Sequence, residues 1–275
     1  MKTTVKRAVL LVAGKGTRIM PLTLHQPKGM VGIVDRPMIH YIIDELASNG
    51  IKKILLVTSP KQPQFKKYAD YLQKDPEWKT LGVKISFAVQ KKPIGSADAL
   101  LKARRFLGPE PFLLYFCDDL LDDQTSPTKN FLNLFQKFQH PILILEKIPK
   151  NLIEKYGVVK AKKITGGLYQ ISDIVEKPKI KEAPSNIGAM GRYLLTPEIF
   201  KYIYKAQTLM KDKKEIAVAD ALKLYFADGG KAYGWIFKGE HFDAGSKIGI
   251  LKAQVHFGLK HPEFRQQFLR FLKNF

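Results

Sequence analysis

The chain has 275 residues, 45% of them hydrophobic, which is enough to build a large core without disulfide bonds and excludes disorder over most of its length. Its single cysteine, Cys117, cannot form an internal disulfide. The 46 lysine and arginine residues exceed the 25 aspartate and glutamate residues, and the resulting net charge of +21 favours a polyanionic partner: nucleic acid, an anionic membrane or a phosphorylated small molecule.

The first residues contain no long apolar segment. Residues 8–12 are apolar but are followed at once by glycine and charge, so this run is too short for the core of a signal peptide. No apolar run approaches the roughly 18 residues that a membrane-spanning helix needs. We therefore expect a cytoplasmic protein with no membrane partner.

The first half of the chain alternates short apolar segments with amphipathic ones. The patterns predict strands at 7–12, 54–58, 83–89 and 112–116, and helices at 37–49, 65–73 and 96–106. Most of these strands are continuously apolar, as expected for strands buried on both faces of a sheet. Such an alternation is typical of an α/β protein with a mainly parallel central sheet.

After Asp119 the alternation is less regular. The patterns predict helices at 131–138 and 197–206, strands at 141–146 and 190–195, and a hairpin within 158–175 that turns at Thr165-Gly166-Gly167. Residues 246–275 are helical in pattern. Their predicted apolar stripe consists of Leu251, Val255, Leu259, Phe264, Phe268 and Leu272. We predict one domain, 1–275, with a mixed, mainly parallel Rossmann-like α/β sheet flanked by helices, a β-rich insertion and a helical C-terminal appendage at 246–275.

A glycine-rich segment, Gly14-Lys15-Gly16-Thr17-Arg18, directly follows the first predicted strand. Backbone N–H groups in such a turn can approach phosphates, and Lys15 and Arg18 add positive charge. The segment has neither the spacing of a P-loop nor the third glycine of a dinucleotide-binding fingerprint. Taken alone, it also fits an ordinary tight turn.

Further short motifs follow along the chain in a fixed order. They are Pro27-Lys28, Gln90 with Gly95-Ser96-Ala97-Asp98-Ala99, Asp118-Asp119, Tyr156-Gly157, Glu176-Lys177-Pro178 and Phe242-Asp243-Ala244-Gly245. Alone, Asp118-Asp119 fits a solvated pair at a strand end, and Glu176-Lys177 fits a charged turn. Together, the motifs make nearly the whole chain resemble the sugar-1-phosphate nucleotidylyltransferases, most closely the bacterial UTP–glucose-1-phosphate uridylyltransferases, or UDP-glucose pyrophosphorylases. The resemblance implies a glycosyltransferase-A-like fold.

The same resemblance implies roles for individual residues. Nucleotide binding is implied for Ala13, Gly14, Gly16, Thr17, Gln90 and Gly95, with Gln90 at the uracil edge and Gly95 against the base. Among the catalytic cations, Arg18 would hold the departing pyrophosphate, Lys28 the α-phosphate and Lys177 the sugar phosphate. Gly157 and Glu176 would hold glucose. Asp118 and Asp243 would bind Mg²⁺.

The implied reaction transfers a uridylyl group from UTP to glucose 1-phosphate and releases pyrophosphate. The attacking phosphate oxygen is already ionised at neutral pH, so no general base is required and the obstacle is repulsion between two anions. Carboxylates that bind Mg²⁺, together with cationic side chains, provide the positive charge that such a transfer needs. The six histidines show no metal-ligand spacing, and no histidine stands near Cys117 to activate it as a nucleophile.

Several departures from the family pattern leave alternatives open. Gly29 stands where an acidic residue is usual, Gly95–Ala99 is closer to the adenylyl relatives, and Ala217 and Ala219 replace polar residues. The alternatives are another base or sugar, such as dTTP, and a catalytically silent regulator that binds nucleotide sugars. We expect no nucleic-acid partner, because arginine clusters with interleaved aromatic residues are lacking. The C-terminal apolar stripe favours a homo-oligomer, a dimer or tetramer, but it fits packing against its own domain equally well.

Overall fold

The computed structural model describes residues 4–274, which form helices on both sides of a central sheet. The strands are β1 (Arg7–Leu11), β2 (Gly32–Ile33), β3 (Arg36–Pro37), β4 (Lys53–Thr58), β5 (Lys84–Val89), β6 (Phe112–Phe116), β7 (Asp119–Asp122), β8 (Ile142–Lys147), β9 (Gly157–Thr165), β10 (Leu168–Glu176), β11 (Ile187–Leu195), β12 (Ala232–Ile236) and β13 (Glu240–Asp243). The helices are α1 (Met38–Ser48), α2 (Gln64–Lys74), α3 (Pro76–Leu81), α4 (Ser96–Leu107), α5 (Pro127–Phe138), α6 (Ile199–Leu209), α7 (Val218–Ala227), α8 (Lys247–Lys260) and α9 (Arg265–Leu272).

The central sheet has the strand order β5-β4-β1-β6-β11-β8-β12-β10-β9. β1 lies between β4 and β6 and is parallel to both, with Val9 opposite Leu55 and Leu114. Within residues 4–274, every strand of this sheet except β10 and β11 runs in the same direction. The prediction of a mixed, mainly parallel sheet is therefore confirmed. Two small antiparallel pairs, β13 with β7 and β2 with β3, lie outside it.

Alternate residues of the central strands feed two hydrophobic clusters, one on each face of the sheet. Leu10 and Tyr115 contribute to the cluster that includes residues of α1, α5 and α8, whereas Val9 and Leu114 contribute to the cluster that includes residues of α4, α6 and α7. Successive side chains of a strand point to opposite faces, so a strand covered on both faces must be apolar throughout. This explains the continuous apolar runs in the sequence.

The C-terminal segment is helical as predicted, but its predicted apolar stripe is wrong for α8. Leu251 is 58% exposed and Val255 is 37% exposed, while Ile250 and Ala253 are buried. Both faces of α8 carry apolar residues. The face that packs is the one with Gly249, because a Cβ at this position would lie 1.9 Å from the carbonyl oxygen of Asp243 and only glycine allows so close an approach. The helix is therefore seated against the end of β13.

Several elements were not predicted from the pattern, namely α3, α7, β12, β13 and the short strands β2, β3 and β7. The start of α7 is capped by Asp220, whose Oδ2 accepts a hydrogen bond of 2.8 Å from the N–H of Ala217. β12 contains Gly234, where a Cβ would lie 2.2 Å from Leu145 Cδ1. None of the helices in residues 4–274 has the length and apolarity needed to cross a membrane.

Candidate active site

Several predicted site residues follow strands that end at one edge of the sheet. β1 leads into the glycine-rich loop, β5 into Gln90 and β6 into Cys117-Asp118. These strands are parallel, so their carboxyl ends meet, as in other α/β proteins whose ligands bind at that edge. The loop turns at Gly16, which has a φ of +65° and would place a Cβ 2.8 Å from Thr23 Cγ2. Glycine is required there for both reasons.

Two adjoining cavities open at this edge. The first, the Asp243 cavity, has a volume of ≈ 510 Å³, and the second, the Gly14 cavity, has a volume of ≈ 500 Å³. The predicted residues on the Asp243 cavity are Arg18, Gly95, Asp118, Gly157, Glu176, Lys177 and Asp243. Those on the Gly14 cavity are Ala13, Gly14, Gly16, Thr17, Lys28, Gln90, Gly95 and Asp118. Every predicted site residue therefore borders one cavity or both, and Asp118 and Gly95 are shared.

Asp118 and Asp243 lie side by side although 125 positions separate them. β13 pairs with β7 so that Asp243 is opposite Asp119, and the N–H of Ala244 donates a 2.9 Å hydrogen bond to the carbonyl oxygen of Asp118. Arg18 spans the two carboxylates, with Nη1 at 3.3 Å from Asp243 Oδ2 and Nη2 at 3.5 Å from Asp118 Oδ2. Lys28 Nζ forms an ion pair with the same oxygen of Asp118.

The two carboxylates converge on the point where a side chain at Gly245 would begin. A Cβ there would lie 2.6 Å from Asp118 Oδ2, 2.7 Å from Asp243 Oδ1 and 2.4 Å from Arg18 Nη2. Within residues 4–274, no group of three or more histidine, cysteine, aspartate or glutamate side chains could hold a metal ion. Magnesium commonly takes one or two carboxylates together with water and substrate phosphates. The donor set of Asp118 and Asp243 fits that ion.

Several ionisable side chains lie close together around Asp118 and shift one another's pKa values. Burial raises the pKa of Asp118, the neighbouring charges of Asp119 and Asp243 raise it further, and Lys28 opposes them. Burial is the largest single influence and would lower the pKa of Lys28, but the charge of Asp118 and its hydrogen bond act together with the neighbouring Cys117 to raise the pKa, so Lys28 remains a cation. Burial raises the pKa of Cys117 to about 12, and its thiol therefore stays protonated.

The residues predicted for the sugar lie together at the open end of the β9–β10 hairpin. Glu176 is opposite Gly157, and a Cβ on Gly157 would lie 3.2 Å from Glu176 Oε2. Lys177 adopts a φ of +47°, uncommon for a residue with a side chain, and its N–H donates to the carbonyl oxygen of Tyr156 at 3.1 Å. Its Nζ lies 3.7 Å from Glu176 Oε1. Burial raises the pKa of Glu176.

Sequence reasoning missed a buried bridge beside the two carboxylates. His241 Nε2 lies 2.9 Å from Asp119 Oδ1, and its Nδ1 lies 2.8 Å from Glu146 Oε2. Burial would lower the pKa of His241, but its hydrogen bonds to the two carboxylates outweigh burial and raise it to about 10. The protonated ring donates on both sides and joins β7, β8 and β13 next to Asp243. No signal in the sequence pointed to it, because both partners are distant along the chain.

A second missed feature is the wall between the cavities. Gly95 has a φ of +110°, and a Cβ there would lie 2.1 Å from the carbonyl oxygen of Ile216. The N–H of Ile216 donates to Ile94 and that of Ala97 donates to Ile216, each at 3.1 Å, while Ser96 Oγ accepts from the N–H of Val218 at 3.0 Å. The segments 94–97 and 216–218 therefore hold each other. Lys213, which also lines the Asp243 cavity, is ion-paired with Asp220.

The structure also accounts for one departure from the family pattern. A Cβ at Gly29 would lie 3.2 Å from Phe65 Cε1 and 3.5 Å from Cys117 Cβ. Phe65 is fully buried, so any side chain at position 29 would begin in tight contact with its ring. Lys28 is oriented by Asp118 instead, through the ion pair described above.

The carboxyl edge of this α/β sheet carries a glycine-rich loop, two adjoining carboxylates and cations on either side. This combination is typical of phosphate-binding proteins that catalyse group transfer. The chain belongs to the nucleotidyl transferase family, whose family model matches residues 7–258.

Comparisons with individual proteins give the same family. The chain is 31% identical over 284 residues to a UTP–glucose-1-phosphate uridylyltransferase of Staphylococcus haemolyticus, covering 98% of each chain. It is similar to a UDP-glucose pyrophosphorylase solved in complex with UDP-glucose, at a TM-score of 0.84 and 30% identity over 94% of this chain and 100% of the other. A UTP-bound UGPase from Acinetobacter baumannii gives a TM-score of 0.82 and 29% identity, covering 98% of this chain and 99% of that one.

Proposed function

We propose that the chain is a UTP–glucose-1-phosphate uridylyltransferase that forms UDP-glucose and pyrophosphate. The observation that carries the proposal is the convergence of Asp118 and Asp243 on the space at Gly245, at the junction of two cavities of similar size. Support comes from the relatives, which are named for this activity over nearly the full chain, and from similar structures described as holding UTP and UDP-glucose.

In this reaction a phosphate oxygen of glucose 1-phosphate attacks the α-phosphorus of UTP. The new P–O bond forms as the bond from the α-phosphorus to the bridging oxygen breaks, and that oxygen leaves with pyrophosphate. The attacking oxygen is ionised at neutral pH, so no proton has to be removed. The protein has to bring two anions together in line, which is a task of positioning and charge stabilisation.

The arrangement of cations suits this task. We infer that the nucleotide occupies the Gly14 cavity and the sugar phosphate the Asp243 cavity, so that the two phosphates meet beside Asp118. Lys28, on the Gly14 side, would contact the α-phosphate; Arg18, which is 57% exposed and reaches both carboxylates, would hold the departing pyrophosphate. Lys177, on the Asp243 side, would hold the sugar phosphate. Glu176 and the glycine opposite it would contact the hydroxyl groups of glucose.

Mg²⁺ is the cofactor that the paired carboxylates favour, with Asp118 and Asp243 holding it. When bound, the ion would supply positive charge that stabilises the charge developing on the reacting phosphates. Arg18 and Lys28 already neutralise part of the carboxylate charge, and their long side chains can shift to the phosphates when substrates bind.

Other properties stay predictions. We expect the protein to act in the cytoplasm as one domain and as a homo-oligomer. The outward face of α8, with Ile248, Leu251 and Val255 exposed, is available for a subunit contact.

A matrix of nucleoside triphosphates against sugar 1-phosphates, with pyrophosphate release as the signal, tests the proposed function. We expect the highest kcat/KM for UTP with glucose 1-phosphate. Lys28→Met should lower it by roughly 100-fold or more, because a cation beside the reacting phosphate is lost. Lys129→Met, which changes an exposed lysine of α5, is the matched control and should leave it unchanged. Binding of UDP-glucose without turnover of any pair would favour the silent regulator, and tight, salt-sensitive binding of mixed DNA or RNA would favour a nucleic-acid-binding protein.

A further inference from the structure

We propose that Asp98 fixes the side-chain amide of Gln90 with its oxygen towards the nucleotide, so that the site selects a base that presents an N–H group and rejects one that presents a bare ring nitrogen. This inference rests on the proposed function, because it concerns the base of the triphosphate used in that reaction. Asp98 does not itself border the Gly14 cavity and would act as a positioning residue.

Gln90 is held firmly at the end of β5. Its backbone N–H donates to the carbonyl oxygen of Thr58 at 2.8 Å, and the residue is only 5% exposed. Its Nε2 donates to the carbonyl oxygen of Gly95 at 3.0 Å and to Asp98 Oδ2 at 3.0 Å. These two contacts use both hydrogens of the amide nitrogen.

The identity of the two partners determines which way the amide points. A backbone carbonyl and a carboxylate accept hydrogen bonds and cannot donate them, so a reversed amide would set its oxygen against two acceptors. Asp98 is itself held in place, because its Oδ1 pairs with Lys102 Nζ at 3.0 Å and only 10% of its side chain is exposed. A neutral residue at position 98 would not impose this orientation as strongly.

The amide oxygen is left for a ligand. Among residues 4–274, Gln90 Oε1 receives no hydrogen bond, and it is not one of the fully enclosed atoms that lack a partner. Gln90 lines the Gly14 cavity next to Gly95 and Ala13. The site therefore presents an acceptor, and not a donor, to the edge of the base.

This acceptor discriminates between bases by simple chemistry. Uracil and thymine carry N3–H, which can donate to Oε1, whereas N3 of cytosine and N1 of adenine are acceptors that would face another acceptor. Leaving such a buried polar atom unpaired is costly.

The test compares UTP with CTP, two pyrimidines of equal size, through their kcat/KM values. The wild type should prefer UTP by about 100-fold or more. Asp98→Ala should reduce that preference about tenfold, because the amide can then turn its nitrogen to N3 of cytosine. Asp98→Asn keeps the shape of the side chain and should also reduce the preference for UTP over CTP. Arg105→Ala, which changes an exposed cation two turns further along α4, is the control and should leave the preference unchanged.

The ratio of kcat/KM for UTP to kcat/KM for CTP separates a loss of positioning from a general structural effect, because a damaged fold lowers both kcat/KM values equally. An unchanged UTP-to-CTP ratio in both Asp98 variants would overturn the inference. If the wild type does not turn over UTP at all, the proposed function fails; the ratio of the Kd values for UTP and CTP then provides the test, with the same tenfold change expected in Asp98→Ala.

Discussion

Gly245→Ala would place a methyl group between the two carboxylates of the site. Its Cβ would lie 2.6 Å from Asp118 Oδ2 and 2.7 Å from Asp243 Oδ1, whereas ordinary contact begins at 3.4 Å. Each oxygen must therefore retreat by roughly 0.7 Å. Displacements of about 1 Å can lower an enzymatic rate by about 100-fold, and both proposed metal ligands would be displaced.

The fold should tolerate this substitution, because the clashing atoms are the ends of side chains and Gly245 does not have a positive φ. We expect kcat/KM for UTP with glucose 1-phosphate to fall about 100-fold and the Mg²⁺ concentration for half-maximal activity to rise. The free energy of unfolding should change by less than about 1 kcal/mol.

Pyrophosphate release across a Mg²⁺ titration measures the effect, and urea denaturation measures stability. Gly32→Ala is the matched control: it lies outside the site, a Cβ there has no neighbour within 4 Å, and activity should be unchanged. Wild-type activity and Mg²⁺ dependence in folded Gly245→Ala would refute the assignment of the space at Gly245 to the metal.

Three further predictions concern residues around the site. Glu45→Ala leaves the buried guanidinium of Arg192 without its ion pair and should lower the free energy of unfolding by about 3 kcal/mol in urea denaturation; a loss below about 0.5 kcal/mol would contradict this. His241→Ala removes the bridge between two carboxylates and should raise the Mg²⁺ concentration for half-maximal activity at least tenfold; an unchanged Mg²⁺ titration would show that the bridge does not position the metal ligands. Burial would raise the pKa of Asp122, but hydrogen bonds from Lys260 and His256 outweigh burial and lower it. The stability that these contacts provide is therefore fully present above the ordinary pKa of 3.8 and is lost as the pH falls through the lowered pKa of Asp122. The protection factors of the amides in α8, each taken relative to the intrinsic exchange rate at the same pH, should therefore fall on acidification through this range in the wild type and much less so in Asp122→Asn.

The part of the site that follows parallel strands was predictable from the sequence. The glycine-rich loop, Gln90 and Asp118 each stand directly after an apolar run, and parallel strands bring such positions to one edge. The position of Asp243 was not accessible to this reasoning. It depends on the pairing of β13 with β7, two four-residue strands whose patterns are too short to identify. Only the resemblance to a family pointed to that residue.

Two other outcomes depend on contacts that a linear pattern does not record. Two apolar faces of α8 were compatible with packing, and the close approach of Gly249 to the backbone of Asp243 selects the one with Ile250. The orientation of the Gln90 amide depends on Asp98, one helical turn into the next element. In the sequence Asp98 was visible only as a departure from the family pattern.

The most direct test of a metal site shared by two phosphorylated substrates is UDP-glucose formation from UTP and glucose 1-phosphate as a function of Mg²⁺. It should be measured for the wild type, Asp118→Asn and Asp243→Asn. We expect no product from the wild type in excess chelator, full recovery when Mg²⁺ is restored, and a loss of about 100-fold or more in each variant at any Mg²⁺ concentration. Wild-type turnover without a divalent ion, or a folded Asp118→Asn variant with the wild-type rate, would contradict the central claim.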